Sequence, residues 1–188
     1  MRISLFSLFL SLAILVSAGL CQADATAQFA AGGFRAPDEA NVSGFRFTLL
    51  YGENSRMGGL DVGFFSLSES AQLSGVALVF GMHKLSQNMD GGAAFSLVNV
   101  HEGNDTGFNA AFINMVNSAE GAVDFGFVNL AKGTTMVDIG GFNLSKKSTA
   151  QLGFINVADE IKGVQLGFIN IAKNGFLPVF PFFNFPKQ

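Results

Sequence analysis

The chain has 188 residues, enough for one domain of ordinary size, and 49% of them are hydrophobic whereas only 13% are charged. This composition excludes the intrinsically disordered class, which is poor in apolar residues and rich in net charge. The formal net charge is −3 and the eleven Lys and Arg residues are scattered along the chain. No basic face for nucleic acid is therefore expected.

The beginning of the chain predicts an export signal. Arg2 supplies a positive charge, residues 3–16 form an apolar run, and small residues follow, so that cleavage after Ala23 or Ala25 fits the pattern. The alternative is an uncleaved membrane anchor, because the apolar run is nearly long enough to span a bilayer.

The single cysteine, Cys21, belongs to this segment. A lipoprotein signal has a small residue before its cysteine, whereas Leu20 stands there, so the sequence favours an unmodified Cys21 in a discarded peptide over lipidation. We expect three parts: a signal peptide (1–23), an N-terminal linker (24–43) and one β-repeat domain (44–188).

A unit of about 14 residues built around Gly-Phe-x-Asn recurs along the predicted domain. The glycine of each unit, or the residue that replaces it, serves as anchor: Gly63, Gly75, Ala94, Ala111, Gly126, Gly140, Gly153, Gly167 and Pro181. From the fourth unit onward an asparagine follows each anchor by three residues: Asn114, Asn129, Asn143, Asn156, Asn170 and Asn184. Such regularity predicts a repeat architecture.

Each unit is rich in Val, Ile and Phe and is bounded by polar turn residues such as "AKGTT" and "AKNG". This pattern is typical of strands separated by turns. A helix is disfavoured because the central glycine costs about 1 kcal/mol relative to alanine there. The fold is therefore expected to be all-β.

Two all-β architectures fit the repeat. In a β-solenoid-like stack, like residues lie above one another, so that Phe forms an internal stack, Asn a hydrogen-bonded ladder and Gly a point of close approach. In the alternative, an antiparallel meander closes as a small outer-membrane β-barrel, with residues 43–52 as a further strand. The solenoid is favoured, because a meander gives no reason for an Asn at one fixed place and because the chain has one Tyr and no Trp for interfacial girdles. A soluble sandwich is a third candidate.

The polar residues predict no catalytic residue, no cofactor and no metal site. His101, Glu102 and Asp105 fall in one predicted polar loop, but the chain lacks the cysteines or the spaced histidine that would complete a zinc site. His83 is predicted at a loop or a strand edge. Neither a nucleophile elbow nor a phosphate-binding loop is present in the sequence.

The turns and the C-terminus carry two further patterns. Five lysines follow their unit's asparagine within a turn, and they are predicted to line one edge of the stack: Lys132, Lys146, Lys147, Lys162 and Lys173. They are interpreted as solvated turn residues, with attraction of acidic glycans or lipid headgroups as the alternative. From about residue 175, three prolines among several phenylalanines predict a cap that ends the pairing, with a docking surface as the alternative.

At residues 44–67 and 161–180 the sequence resembles a broad group of bacterial surface-repeat proteins. Their units are Gly-x-Gln-x-Gly-Phe-x-Asn-x-Ala behind a signal peptide, and Gln151 and Gln165 occupy the glutamine position here. The resemblance implies exposure at the bacterial envelope and brings no known activity.

We therefore expect an exported, non-enzymatic repeat protein of the outer membrane or cell surface, with the periplasm as the alternative location. Its role would be that of a scaffold or surface-contact module; a small barrel with a structural or passive transport role is the runner-up. The partner is not identified by the sequence, although an envelope or membrane surface is compatible with it.

Overall fold

The structure, a computed structural model, describes residues 24–187. The predicted signal peptide lies outside these residues. The described chain forms eight strands: β1 (Ala25–Ala31), β2 (Phe34–Ala36), β3 (Asn41–Met57), β4 (Leu60–Leu73), β5 (Val76–Leu85), β6 (Met89–Ala131), β7 (Thr134–Ala172) and β8 (Val179–Asn184). Across this part of the chain we find no helix with the length and apolarity to cross a membrane.

The strands stack as a β-solenoid of about eight turns. Their order is β2-β1-β3-β4-β5-β6-β7-β8, and each neighbouring pair from β1 to β7 is parallel. The long strands β6 and β7 each continue through several coils. In the register between them, Gly126 pairs with Gly140 and Asn129 pairs with Asn143. The predicted solenoid is confirmed. The alternative of an antiparallel barrel is wrong, because the strands from β1 to β7 in this order pair in parallel. This parallel register places like residues above one another.

The register corrects two anchors of the early units. Gly63 pairs with Val79, and Val79 pairs with Ser96, so these residues occupy the glycine position of their coils. The predicted anchors Gly75 and Ala94 are therefore wrong. With Ser96 as anchor, Asn99 follows by three residues, and the asparagine pattern begins one coil earlier than the sequence predicts.

Both ends of the stack are closed by an antiparallel strand. β2 pairs with β1 at the N-terminal end, and β8 pairs with β7 at the C-terminal end, where the sequence predicts a cap. The predicted linker 24–43 instead contains β1, β2 and the start of β3. Ala25, Gln28 and Ala30 of this segment are buried, and β1 pairs in parallel with β3, so the segment is the first strand of the stack.

The interior changes character along the stack. In the N-terminal half it contains a cluster of apolar side chains that includes Met57, Leu73, Leu85 and Met89, together with buried polar groups such as Arg46. Further along, small clusters such as that around Ile161 remain, and amides, carboxyls and hydroxyls occupy most of the other buried positions. Buried polar groups need hydrogen-bond partners, and stacked identical coils provide them at every turn.

Candidate functional site

Alternation of side chains places polar groups inside and aromatic rings outside. In the coil at the end of β7, Gln165 and Asn170 are fully buried, whereas Leu166 and Phe168 are exposed. The predicted internal Phe stack is therefore wrong. A Cβ at Gly167 would already overlap the carbonyl oxygen of Gly153, so the interior at this level has room for an amide and not for a ring.

The buried asparagines form a continuous ladder. Each Nδ2 donates to the Oδ1 of the next asparagine at 2.8–2.9 Å, in the order Asn99, Asn114, Asn129, Asn143, Asn156, Asn170. From Asn114 to Asn156, Nδ2 also donates to a backbone carbonyl in the next turn, as from Asn143 to Leu152 at 3.0 Å, whereas Asn99 donates to Ala94 in its own turn at 3.4 Å. Both capacities of the amide are thus used inside the protein, and a chain of polarised amides strengthens its own bonds.

Asn184 does not join this ladder. It is buried, but β8 runs in the opposite direction, and its Nδ2 donates to the carbonyl oxygen of Leu177 at 3.1 Å. The terminal ladder residue, Asn170, donates to Gly167 and to Phe180 across the junction with the cap.

Four predicted glycines line the close approach between coils: Gly126, Gly140, Gly153 and Gly167. At Gly140 an added Cβ would overlap the carbonyl oxygen of Gly126 and would lie 2.8 Å from Nδ2 of Asn129. The glycine therefore leaves the space in which the ladder amide meets the backbone.

A second interior column runs beside the ladder through the glutamine position. Gln165 Nε2 donates to Gln151 Oε1 at 2.8 Å, and Gln151 Nε2 donates to Asp138 Oδ2 at 3.2 Å. In the coils before these, Asn109 donates to Asp124 Oδ1 at 2.8 Å. Asp124 and Asp138 are direct neighbours in adjacent coils. The column therefore holds two carboxyls side by side inside the protein.

Burial controls the charge of these two carboxyls. It raises the pKa of Asp124 to about 7, against the lowering effect of the Asn109 hydrogen bond, and it raises the pKa of Asp138 to about 6. Among the described residues, neither Asp124 Oδ2 nor Asp138 Oδ1 has a hydrogen-bond partner. The pair is thus a costly feature of the interior at neutral pH.

The two histidines lie in a buried chain of polar groups. His83 Nδ1 lies 3.2 Å from His101 Nε2, His101 Nδ1 lies 2.6 Å from Asp105 Oδ2, and Asn109 donates to the same oxygen at 2.8 Å. In the tautomers that satisfy both contacts with neutral rings, His83 Nδ1–H donates a hydrogen bond to His101 Nε2, and His101 Nδ1–H donates to Asp105. Among residues 24–187, His83 Nε2 has no hydrogen-bond partner. Burial and repulsion from His101 lower the pKa of His83 to about 3.

These positions correct two sequence predictions. His83 and Asp105 are inaccessible and His101 is 2% exposed, so neither a solvated loop nor a strand edge describes them. Glu102 follows His101 on the strand, is exposed and is not brought together with it. Acid–base chemistry on a substrate needs a reachable side chain, and this arrangement buries the rings instead.

A buried ion pair that the sequence analysis did not identify lies in the N-terminal part of the interior. Arg46 Nε and Nη2 bind the two oxygens of Asp61 at 2.9 and 2.7 Å, and Nη2 also donates to Ser68 and Ser70. Hydrogen bonds from Arg46 and Ser68 keep the pKa of Asp61 below its usual range despite burial. The signal was present: Arg46 stands between two phenylalanines in "GFRF", where alternation assigns it to the opposite face.

The outer surface of the strands carries an apolar face. At the position that follows the anchor, rings of adjacent coils stack in pairs: Phe112 and Phe127 have centroids 5.3 Å apart at an interplanar angle of 6°, and Phe154 and Phe168 are 5.1 Å apart at 19°. Leu97 and Gly141 occupy this position in the coils between the pairs. These four rings are about 60% exposed. We call this series the outer aromatic column: Phe64, Phe80, Phe112, Phe127, Phe154 and Phe168. Exposed apolar residues at neighbouring positions, such as Leu166 and Ile169, widen it into the outer apolar face.

The surface of the coils also carries charged residues. The five turn lysines lie outside the interior, and two of them are paired: Lys147 with Glu160 at 2.8 Å and Lys173 with Asp159 at 2.7 Å. Surface charges of opposite sign thus pair between adjacent coils.

The described chain also has a cleft of about 440 Å³ near its N-terminal end. It is lined by residues that include Phe34, Arg35, Asp38 and Glu53, and the Arg35 side chain binds Asp38 at 2.6 Å within it. The charged groups of the cleft are thus partly engaged with each other.

Comparisons with protein-family models, with curated proteins and with solved structures find no match to this chain.

Proposed function

We propose that this protein is an exported scaffold of the bacterial envelope or cell surface, without enzymatic activity, and that it acts as a surface-contact module through its outer apolar face. The observation that carries the proposal is the outer aromatic column, whose rings are about half exposed or more along most of the stack. An apolar patch of this extent is characteristic of interaction surfaces.

The interior supports the non-enzymatic part of the proposal. The titratable groups with the most perturbed pKa values, Asp124, Asp138 and His83, are enclosed by the coils and bonded to other side chains. The buried polar groups therefore have a structural role, because their ladders hold the coils in register. The aromatic residues lie outside, where they are available for contact.

Envelope fractionation of the natively expressed protein tests this proposal. We expect the mature protein in the envelope or extracellular fraction, released by carbonate and without heat-modifiability on a gel. A protein that stays in the cytoplasm with its N-terminus intact would contradict export. After chemical cross-linking of these fractions, a variant with Phe127→Ser and Phe154→Ser should lose the protein contacts that the natural chain makes, whereas the matched variant Phe34→Ser, at an equally exposed ring outside the column, should keep them.

A further inference from the structure

The ends of the stack direct any association to its sides. β2 covers the N-terminal edge and β8 the C-terminal edge, both antiparallel, and Pro181 within β8 has no N–H to offer to another strand. Edge-to-edge growth into a fibre is thereby disfavoured. The outer apolar face, in contrast, runs along the side of the stack and is open to a partner.

The size of that face matches what a stable dimer requires. The six rings of the outer aromatic column are 49–64% exposed. Because a buried phenylalanine removes on the order of 200 Å² from water, the six rings offer roughly 600 Å². Exposed apolar neighbours such as Leu166 and Ile169 add to this area, toward the roughly 800 Å² that one partner contributes to a standard interface.

The charges outside the interior divide the stack into two unlike halves. Of the side chains that are not buried, residues 24–105 carry seven acidic and three basic ones, whereas residues 106–187 carry three acidic and six basic ones. Two copies laid side by side in opposite directions would place each acidic half beside a basic half, whereas copies in the same direction would place like charges together.

A lipid surface fits these features less well. The chain has no Trp and one Tyr, the residues that favour the headgroup region. Two of the five turn lysines, Lys147 and Lys173, are moreover engaged with acidic residues of adjacent coils. A protein surface of the same composition is the better complement.

We propose that two copies of this chain pack through their outer apolar faces with their long axes antiparallel, as a twofold-symmetric dimer. This inference rests on the proposed function, because it names the partner of the same face. A twofold axis through the face would pass near the middle of the column, close to Phe112, and would bring Phe64 of one copy near Phe168 of its partner.

Sedimentation equilibrium of the mature exported protein tests the association. We expect twice the monomer mass at micromolar concentration. The double variant Phe127→Ser with Phe154→Ser should be monomeric with an unchanged far-UV spectrum, whereas Phe34→Ser, at a ring 64% exposed on β2, should remain dimeric. A wild-type monomer at 100 μM overturns the inference, and so does a monomer that binds phospholipid vesicles.

Cysteine cross-linking tests the orientation, in a Cys21→Ser background. Phe112→Cys should cross-link with itself, and Phe168→Cys should cross-link with Phe64→Cys but not with itself. Self-linking of Phe168→Cys would overturn the antiparallel arrangement. The two proposals fail differently: an exported monomer contradicts only the dimer, whereas a dimer retained in the cytoplasm contradicts only the proposed function.

Discussion

Asn129 donates a side-chain hydrogen bond of 2.8 Å to Asn143, its direct partner in the next coil. Asn143 in turn donates to Asn156 at 2.8 Å, and both residues are buried. Each asparagine is thus acceptor for one neighbour and donor for the other. Removal of one member leaves two unsatisfied amides, so the ladder should fail cooperatively.

Asn143→Ala should lower the free energy of unfolding by about 3 kcal/mol. The variant leaves a donor of Asn129 and the acceptor of Asn156 buried without partners, at about 1–3 kcal/mol each. Urea denaturation followed by circular dichroism measures the loss. The matched variant is Asn117→Ala, at an exposed asparagine, which should change stability by less than about 0.5 kcal/mol. Equal losses in the two variants would show that the ladder contributes nothing specific.

Gly140→Ala should destabilise the stack at least as much as the loss of the ladder residue. The new Cβ would overlap the carbonyl oxygen of Gly126 and crowd the amide of Asn129, so that two coils must separate. Gly58→Ala is the control, because its Cβ would find its nearest neighbours at 3.7 Å. Thermal unfolding should show a lower Tm only for Gly140→Ala, and a tolerated Gly140→Ala would contradict the close approach.

The period, the asparagine ladder and the glycine approach could be predicted from the sequence because they recur in phase. The orientation of the phenylalanines could not. In Leu166-Gly167-Phe168-Ile169 every side chain except glycine is apolar, and composition then suggests that the rings fill the core. The orientation of the rings is determined by steric contact. A backbone atom of the adjacent coil lies where a Cβ of Gly167 would be, so the interior has room only for small polar groups.

The anchors of the early coils were predicted wrongly for a different reason. Ser96 and Val79 replace glycine there, so a search for Gly-Phe-x-Asn selects the wrong anchors. His83 pairs directly with Asn99 in the register, and the ladder position is thus filled by another polar group. A search for any polar residue at one phase of the repeat, rather than for asparagine alone, would have identified these coils and the Arg46–Asp61 pair.

Asp124→Asn should stabilise the protein at alkaline pH. Burial raises the pKa of Asp124 from 3.8 to about 7, so its contribution to the free energy of unfolding is fully present below pH 3.8 and is lost as pH rises through 7. Three pKa units correspond to about 4 kcal/mol as an upper bound. Asparagine stays neutral and can still accept from Asn109, so the gain should be present at pH 8 and nearly vanish at pH 4.

Chemical denaturation at the two pH values measures this difference. Asp90→Asn serves as control, because Asp90 is exposed and its substitution should have little effect at either pH. A gain for Asp124→Asn that is equal at pH 4 and pH 8 would contradict a raised pKa in the folded protein.

His83 should remain neutral in the folded protein far below the pH at which an exposed histidine is protonated. Burial and the neighbouring His101 lower its pKa from 6.5 to about 3, so its contribution to stability is present above pH 6.5 and is lost as pH falls toward 3. The ¹⁵N chemical shifts of the ring, followed from pH 7 to pH 4, should not titrate. A midpoint near 6 would show that water reaches the ring, and with it the interior of the stack.

Signal cleavage should occur after Ala23 rather than after Ala25, although both sites fit the sequence pattern. Ala25 is 6% exposed, belongs to the apolar cluster of the N-terminal half and pairs with Val42. Cleavage after Ala25 would remove this residue from β1 and place a charged amino terminus at the edge of that cluster. N-terminal sequencing of the exported protein should therefore begin at Asp24. Ala23→Leu should block this cleavage, whereas Ala25→Val should leave the new terminus at Asp24; a mature protein that begins at Thr26 would show that β1 is dispensable at its first residue.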